Sequence, residues 1–292
     1  MTRVFVWGAG RCGRSLCGAL AAAGHEVVGT WNRTAEAAAR GGPRSWPTFS
    51  GDDLPAAVAE AEVVWLAVTD ARIAEAAARV LQPHHVALHA AGAVPARVLR
   101  VGPSTPRSVA SCHPLQSFAA DRSPPAHVAA ATFGIEGEPE AVAAAQALVA
   151  SMGARSFVVS DETGKALYHA ACCLASNALV ALADRAVNVF AAAGVTREEA
   201  LRALAPLIRG TAENLASAAE PRDVLTGPIH RGDLDVVQAH LRAIAERAPA
   251  ELDAYIAQSL EIARLVPGSE APRLLNQRKR SPRRRHTSAR SA

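Results

Sequence analysis

Six residues near the start of the chain, Gly8-Ala9-Gly10-Arg11-Cys12-Gly13, constrain its fold more than any other stretch. They follow a short apolar run, Arg3–Trp7, that reads as a strand. They open a segment with helical spacing over 10–23, where Leu16 and Leu20 lie one turn apart. A second apolar run covers residues 26–31. The glycines fit G-x-G-x-x-G between strand and helix, inside a strand–helix–strand unit of about thirty residues. In that setting each glycine has a use: Gly8 permits the tight turn, Gly10 lets backbone approach a pyrophosphate, and Gly13 lets the helix pack on the strand. The helix N-terminus adds unpaired N–H donors and a positive dipole end.

The pattern continues beyond this unit. Residues 63–68, Val86–His89, 109–113, 130–135 and 156–159 read as further strands. Helical segments such as 70–81 and 138–152 separate them. Strands alternating with helices predict right-handed crossovers and a parallel sheet, an α/β Rossmann domain. After about Ser160 the strand-like runs stop. Long helical stretches over 163–193, 197–218 and 234–264 predict an all-α domain. The expected division is therefore a Rossmann domain at 1–160, a helical substrate and dimerisation domain at 161–268, and a disordered basic tail at 269–292.

Charge supports that division. The chain has 31 Lys and Arg against 27 Asp and Glu, a net charge of +4. From Ser269 onward there are eight basic residues and one acid, 8 − 1 = +7, which leaves +4 − 7 = −3 for the body. The basic character belongs to the tail, which can touch anions weakly, and the body suggests no specific nucleic-acid surface. Five cysteines, an odd number with no C-x-x-C pair, fit neither a disulfide framework nor a zinc site, so no metal is expected. Free thiols suit a reducing cytoplasm. A strand starting at Arg3 leaves no room for a signal peptide, and no uninterrupted apolar stretch reads as the roughly 18–20 residues of a membrane span. A cytoplasmic protein without membrane contact is expected.

The end of the second strand selects the dinucleotide. An NAD site usually places Asp or Glu there, for the ribose 2′-hydroxyl. This chain has Asn32-Arg33-Thr34, with no acid before Glu36. Arg33 can hold a 2′-phosphate with a planar fork of donors, and Asn32 and Thr34 add neutral ones. The expected cofactor is NADP (NADPH). Later strand ends should line the same crevice, which brings in Val68, Thr69 and Gly92.

Two segments are candidates for chemistry. In Ser111-Cys112-His113-Pro114, a strand end followed by His-Pro puts a titratable ring, His113, at the crevice. On the first long helix, Lys165, His169, Cys172 and Ser176 recur at i, i+4, i+7 and i+11, a narrow polar stripe on an Ala- and Leu-rich helix. Such a stripe suits the wall of a ligand cleft, with Lys165 as proton donor beside a nicotinamide. Each of these side chains also has a plain structural reading, as solvated edge or core packing.

Taken together, GAGRCG, HPLQSF, GKALYHAACCLASN and LTGPIHRGD make residues 1–267 resemble Rossmann-like bacterial proteins whose C-terminal half is a domain of unknown function. That family is similar in layout to pyrroline-5-carboxylate reductases, ketopantoate reductases and hydroxyisobutyrate-type dehydrogenases. Those enzymes join a Rossmann domain to a helical domain of 6-phosphogluconate-dehydrogenase type. In the hydroxyacid and ketopantoate enzymes a Lys on the first long helix is the acid or base, and an Asn one turn later binds substrate. Lys165 matches that Lys. His169 stands where the Asn would be, and Asn177 comes three turns on. Prephenate dehydrogenases carry His-Pro near the corresponding strand end, which makes His113 a candidate substrate ligand. The resemblance implies an oxidoreductase, which with the expected cofactor gives an NADP-dependent enzyme acting on a small carbonyl, imine or hydroxy acid, and the Ala-rich faces of the helical C-terminal domain suggest a homodimer. A non-catalytic NADPH-binding sensor or scaffold is the alternative.

Overall fold

A computed structural model describes residues 1–39, 45–102, 105–118 and 125–280. The chain divides into two compact units, Met1–Leu174 and a second beginning at Ala175.

The first unit alternates strands and helices as its apolar runs require. In order they are β1 (Arg3–Trp7), α1 (Arg11–Ala22), β2 (Glu26–Asn32), α2 (Ala35–Ala39), β3 (Thr48–Ser50), α3 (Ala57–Glu60), β4 (Val63–Leu66) and α4 (Ile73–Val80). There follow β5 (Val86–His89), β6 (Ser108–Pro114), α5 (Pro125–Ala129), β7 (Thr132–Gly137), α6 (Pro139–Ser151), β8 (Arg155–Val158) and α7 (Glu162–Ala175). The strands form one sheet in the order β3-β2-β1-β4-β5-β6-β7-β8. β1 to β6 are parallel, β7 runs antiparallel to β6, and β8 is parallel to β7. The order reverses between β1 and β4, which is where α/β sheets of this kind open a ligand crevice.

Side-chain alternation along the strands builds two cores. Val4, Val6 and Trp65 pack on one face with Leu16 and Leu20 of α1. Phe5, Trp7 and Val64 pack on the other with Ile73 and Val80 of α4. The sheet is covered on both sides, as a parallel sheet needs.

The second unit contains α8 (Asn177–Ala192), α9 (Arg197–Ser217), α10 (Pro228–Arg231), α11 (Leu234–Arg247), α12 (Leu252–Arg264) and α13 (Ala271–Arg280). A capping box starts α9, with Thr196 accepting from the Glu199 N–H and Glu199 reaching back to the Thr196 N–H. Val187, Ala200 and Leu204 make one small core, and Ile229, Val237, Leu241, Ile256 and Leu275 make another.

Four expectations change. The stretch 163–193 is two helices, broken at Ser176. The stretch 234–264 is also two, separated around Pro249, whose ring cannot continue a helix interior. The first unit runs to Leu174 rather than ending near Ser160, because α7 is bonded to the sheet by Lys165 to Ser111 and Tyr168 to His113. The basic tail is helical at its start: α13 buries Ala271 and Leu275 against α12. The remainder of that tail, 281–292, lies outside the described residues.

One further stretch departs from the reading of apolar runs. Residues 166–183 contain no Asp, Glu, Lys or Arg. Glu162–Ala192 is long and apolar enough to cross a membrane by length and composition, an 18-residue window within it having a mean hydropathy of 1.6. Its apolar side chains lie at the surface: Leu167 is 68% exposed, Leu174 74% and Val180 70%.

Candidate functional site

The glycine loop is built as its sequence demands. Gly8 has φ +119°, and a Cβ there would lie 2.4 Å from the Ala67 carbonyl oxygen. A Cβ on Gly13 would lie 1.8 Å from the Gly8 oxygen. The backbone N–H groups of Gly8 and Ala9 both donate to the Trp31 carbonyl, each at 2.9 Å, which ties the loop to the end of β2. Gly10 is different. It caps α1 in an extended conformation without a side-chain partner, the first turn holds no acid, and a Cβ on Gly10 would meet nothing within 4 Å. The space over Gly10 is therefore free for a ligand, above a helix end whose N–H groups point outward.

An open cleft of about 370 Å³ adjoins that loop. Gly10, Arg11 and Cys12 form one wall, Ala67, Val68 and Thr69 a second, and Ser117 and Phe118 a third. Arg11 bridges the mouth with a 3.4 Å bond from Nη1 to the Phe118 carbonyl. Cys12 is pushed up to about 12 by burial and stays a thiol. Ala9 is buried, so only its backbone can serve a ligand.

At the end of β2, Arg33 is exposed and its guanidinium has no partner among the described residues. Its backbone N–H donates to Asn32 Oδ1 at 2.9 Å, and Thr34 Oγ1 accepts from the Ala37 N–H at 3.2 Å. Asn32 and Thr34 thus shape the turn, and the Arg33 side chain is left unpaired among the described residues.

A second cluster forms at the ends of β5, β6 and β7, against the first turns of α7. Asp161 Oδ1 accepts from the Gly164 N–H at 2.7 Å and starts that helix. The Arg97 guanidinium pairs with Glu162 and holds its first residue. Lys165 is then only 1% exposed. Its Nζ donates to Ser111 Oγ, which donates to the Ala91 carbonyl at 3.0 Å. No carboxylate pairs with Lys165 among the described residues. Burial lowers its pKa, opposed by the fields of Glu136, Cys112 and Asp70.

Beside it, His113 Nδ1 is hydrogen-bonded to the Tyr168 hydroxyl. The His113 and His169 rings meet edge to face at 5.8 Å. Gly92 lies against both. A Cβ there would be 2.3 Å from His169 Cδ2 and 3.0 Å from His113 Cε1. His113 is pushed down to about 4, by burial first and then by His169 and Lys165. His89, fully buried beneath, is pushed down to about 3, chiefly by burial. Both rings are neutral at pH 7. Among the described residues no three His, Cys, Asp or Glu come together to hold a metal ion.

The structure thus brings Lys165, His113, His169 and Gly92 together, and gathers Gly10, Arg11, Cys12, Val68 and Thr69 around one cleft. Ser176, the last member of the predicted stripe, is an exposed residue at the helix break. Two participants were not singled out by spacing: Ser111, which accepts from Lys165, and Tyr168, whose hydroxyl shares a hydrogen bond with His113 Nδ1. Tyr168 lies at i+3 from Lys165, a neighbour on the helix surface that the i, i+4 count passed over.

Comparison with known proteins agrees with this architecture. Residues 2–115 match a Rossmann-like domain, and residues 131–262 match a domain of unknown function, DUF2520. No curated protein matches the chain by sequence. Among solved structures, BF3122 of Bacteroides fragilis is 24% identical over 90% of this chain and 98% of its own, with a TM-score of 0.68. An Aspergillus terreus reductive aminase in complex with NADPH is 18% identical over 95% and 99%, with a TM-score of 0.60. A Plasmodium falciparum pyrroline carboxylate reductase with NADP bound is 11% identical over 90% and 98%, with a TM-score of 0.57. A part similar to a Rossmann-like domain is thus followed by a part similar to the DUF2520 domain, and the chain shares its two-part fold with those solved structures.

Proposed function

We propose that this protein is an NADP(H)-dependent oxidoreductase acting on a small carbonyl, imine or hydroxy-acid substrate. The observation that carries the reading is the uncapped, acid-free N-terminus of α1 under an open Gly10. The space open over Gly10 suits a pyrophosphate, for which the N–H groups of the first turn would supply donors. Arg33, exposed and without an acceptor among the described residues, suits a 2′-phosphate. The relatives crystallised with NADP or NADPH support the same choice.

A bound nicotinamide would supply or accept the hydride. The protein's part is to hold the substrate and move the proton. Lys165 is the donor we favour: burial without a carboxylate partner makes its ammonium readier to release a proton to a substrate oxygen or nitrogen. Ser111 fixes Nζ, and the Ala91 carbonyl fixes Ser111. His113 and His169, flanking Gly92, orient the substrate. The test is NADPH oxidation against a panel of 2-oxo acids and cyclic imines, with Lys165→Ala alongside. We expect turnover to fall by at least ~100-fold with NADPH affinity nearly unchanged. Loss of NADPH binding in that variant would remove Lys165 from the role.

We also propose a homodimer. Leu167 and Leu174 on α7, Val180 on α8 and Leu207 on α9 are large apolar side chains at the surface. A second copy would cover such surface. Light scattering without detergent should report twice the 30.3 kDa chain mass. A 30.3 kDa particle would contradict the dimer, and a requirement for detergent would favour a membrane role for Glu162–Ala192.

A further inference from the structure

The Tyr168–His113 hydrogen bond has two possible proton arrangements. In one, the tyrosine hydroxyl donates to Nδ1 and the ring proton sits on Nε2. In the other, Nδ1–H donates to the phenol oxygen, and the hydroxyl proton must find another acceptor. Among the described residues the other neighbour for that proton is the Cys172 sulfur, a weak acceptor. The imidazole nitrogen is the stronger one, so the first arrangement satisfies the hydroxyl better.

Packing holds the phenol in place for it. A Cβ on Gly134 would lie 2.6 Å from Tyr168 Cζ and 2.8 Å from its hydroxyl oxygen, so only glycine on β7 admits this ring position. Phe157 of β8 closes the other side, edge to face at 5.5 Å. His113 Nε2 has no partner among the described residues. Unlike Nε2 of His89, it is not among the buried, unbonded atoms.

We propose that Tyr168 is a positioning residue: by donating to Nδ1 it fixes His113 as the Nε2–H tautomer, a neutral donor for the substrate's carbonyl oxygen or imine nitrogen. The groups facing this ring are Tyr168, His169 and Lys165 on α7, and His89 on β5. Held near 4, His113 stays uncharged at neutral pH and polarises the substrate without surrendering its own proton. Proton transfer then falls to Lys165. The assignment of a substrate to His113 rests on the oxidoreductase reading above, whereas the tautomer does not.

The test is a long-range ¹H–¹⁵N correlation spectrum of the full-length, ¹⁵N-labelled protein at pH 7, with His113 assigned by His113→Gln. We expect a pyrrole-like Nε2 and a pyridine-like Nδ1. In Tyr168→Phe both signals should move toward the tautomer-averaged position, while those of the distant His85 stay put. Where substrate is available, kcat should drop by about tenfold with the NADPH Kd unmoved. An Nδ1–H tautomer, an averaged ring or a doubly protonated ring in the wild type would overturn the proposal. So would His113 signals that ignore Tyr168→Phe. If Tyr168→Phe does not fold, the wild-type spectrum alone decides. Failure to bind NADPH would sink the reaction but leave the tautomer result standing.

Discussion

Two regions at the same edge of one sheet are built on opposite principles. The glycine loop is made of backbone. Its donors are N–H groups, its shape comes from missing Cβ atoms, and its components are neighbours in sequence. The Lys165 cluster is made of side chains from three separate elements, β5, β6 and α7, and Lys165 bonds to Ser111 and Tyr168 to His113 before any ligand arrives. A backbone site announces itself in sequence and depends on the absence of side chains. A side-chain site depends on which residues the topology brings together, and it can be altered without harming the fold.

The largest effects should come from the glycines, and they should split. Gly13→Val puts side-chain atoms where the Gly8 carbonyl already is, so it should lower Tm by more than ~5 °C or prevent folding. Gly10→Ala adds a methyl into open space. Its Tm should stay within about 1 °C of wild type while NADPH binding weakens at least ~100-fold, about 2.7 kcal/mol. Equal destabilisation by both, read by calorimetry, would break the distinction between a packing glycine and a ligand glycine.

Next comes the cluster's cation. Lys165→Met removes a buried ammonium that no carboxylate pairs with directly among the described residues. Stability should hold or rise by about 1 kcal/mol in urea unfolding, in contrast to Gly13→Val. A loss above ~2 kcal/mol would mean that the bond to Ser111 is structural.

Acid should separate the regions further. Unfolded histidines take up a proton near pH 6.5, whereas folded His113 and His85 do so only near 4, and His89 near 3. Below 6.5 the unfolded chain binds more protons than the folded one. The stability these rings contribute is therefore full above 6.5 and is lost as pH falls toward 4, by up to about 1.4 kcal/mol per ring per pH unit. The loop contributes nothing here, since Cys12 remains a thiol. Urea midpoints that stay level from pH 7 to 4.5 would contradict the buried, neutral assignment.

The smallest effect is cofactor choice. Arg33→Ala should cost NADPH about tenfold in Kd, about 1.4 kcal/mol, and leave NADH unchanged. Equal losses for both nucleotides, measured by fluorescence titration, would place Arg33 away from the 2′-phosphate.

The contrast also explains what the sequence made legible. Gly8, Gly10 and Gly13 could be read because their roles follow from backbone geometry within one strand–helix unit. The parallel strands could be read from continuous apolar runs. β3 could not, being three residues at the sheet edge, none of them buried. The break at Ser176 left no signal in a stretch that stays apolar on both sides. α13 was hidden because its charged residues suggested solvent, while burial of Ala271 and Leu275 decides its state. At the cluster, spacing put Lys165 and His169 on one face, but only the fold reveals that Ser111 and Tyr168 complete it.

The most direct test of the central claim is a titration of the wild-type protein and Gly10→Ala with NADPH, followed by nicotinamide fluorescence. Saturable wild-type binding in the micromolar range is expected, with at least a hundredfold loss in the variant and both proteins melting at the same temperature. Equal affinities, or no wild-type binding at millimolar NADPH, would mean that the open helix end over Gly10 is not a dinucleotide site.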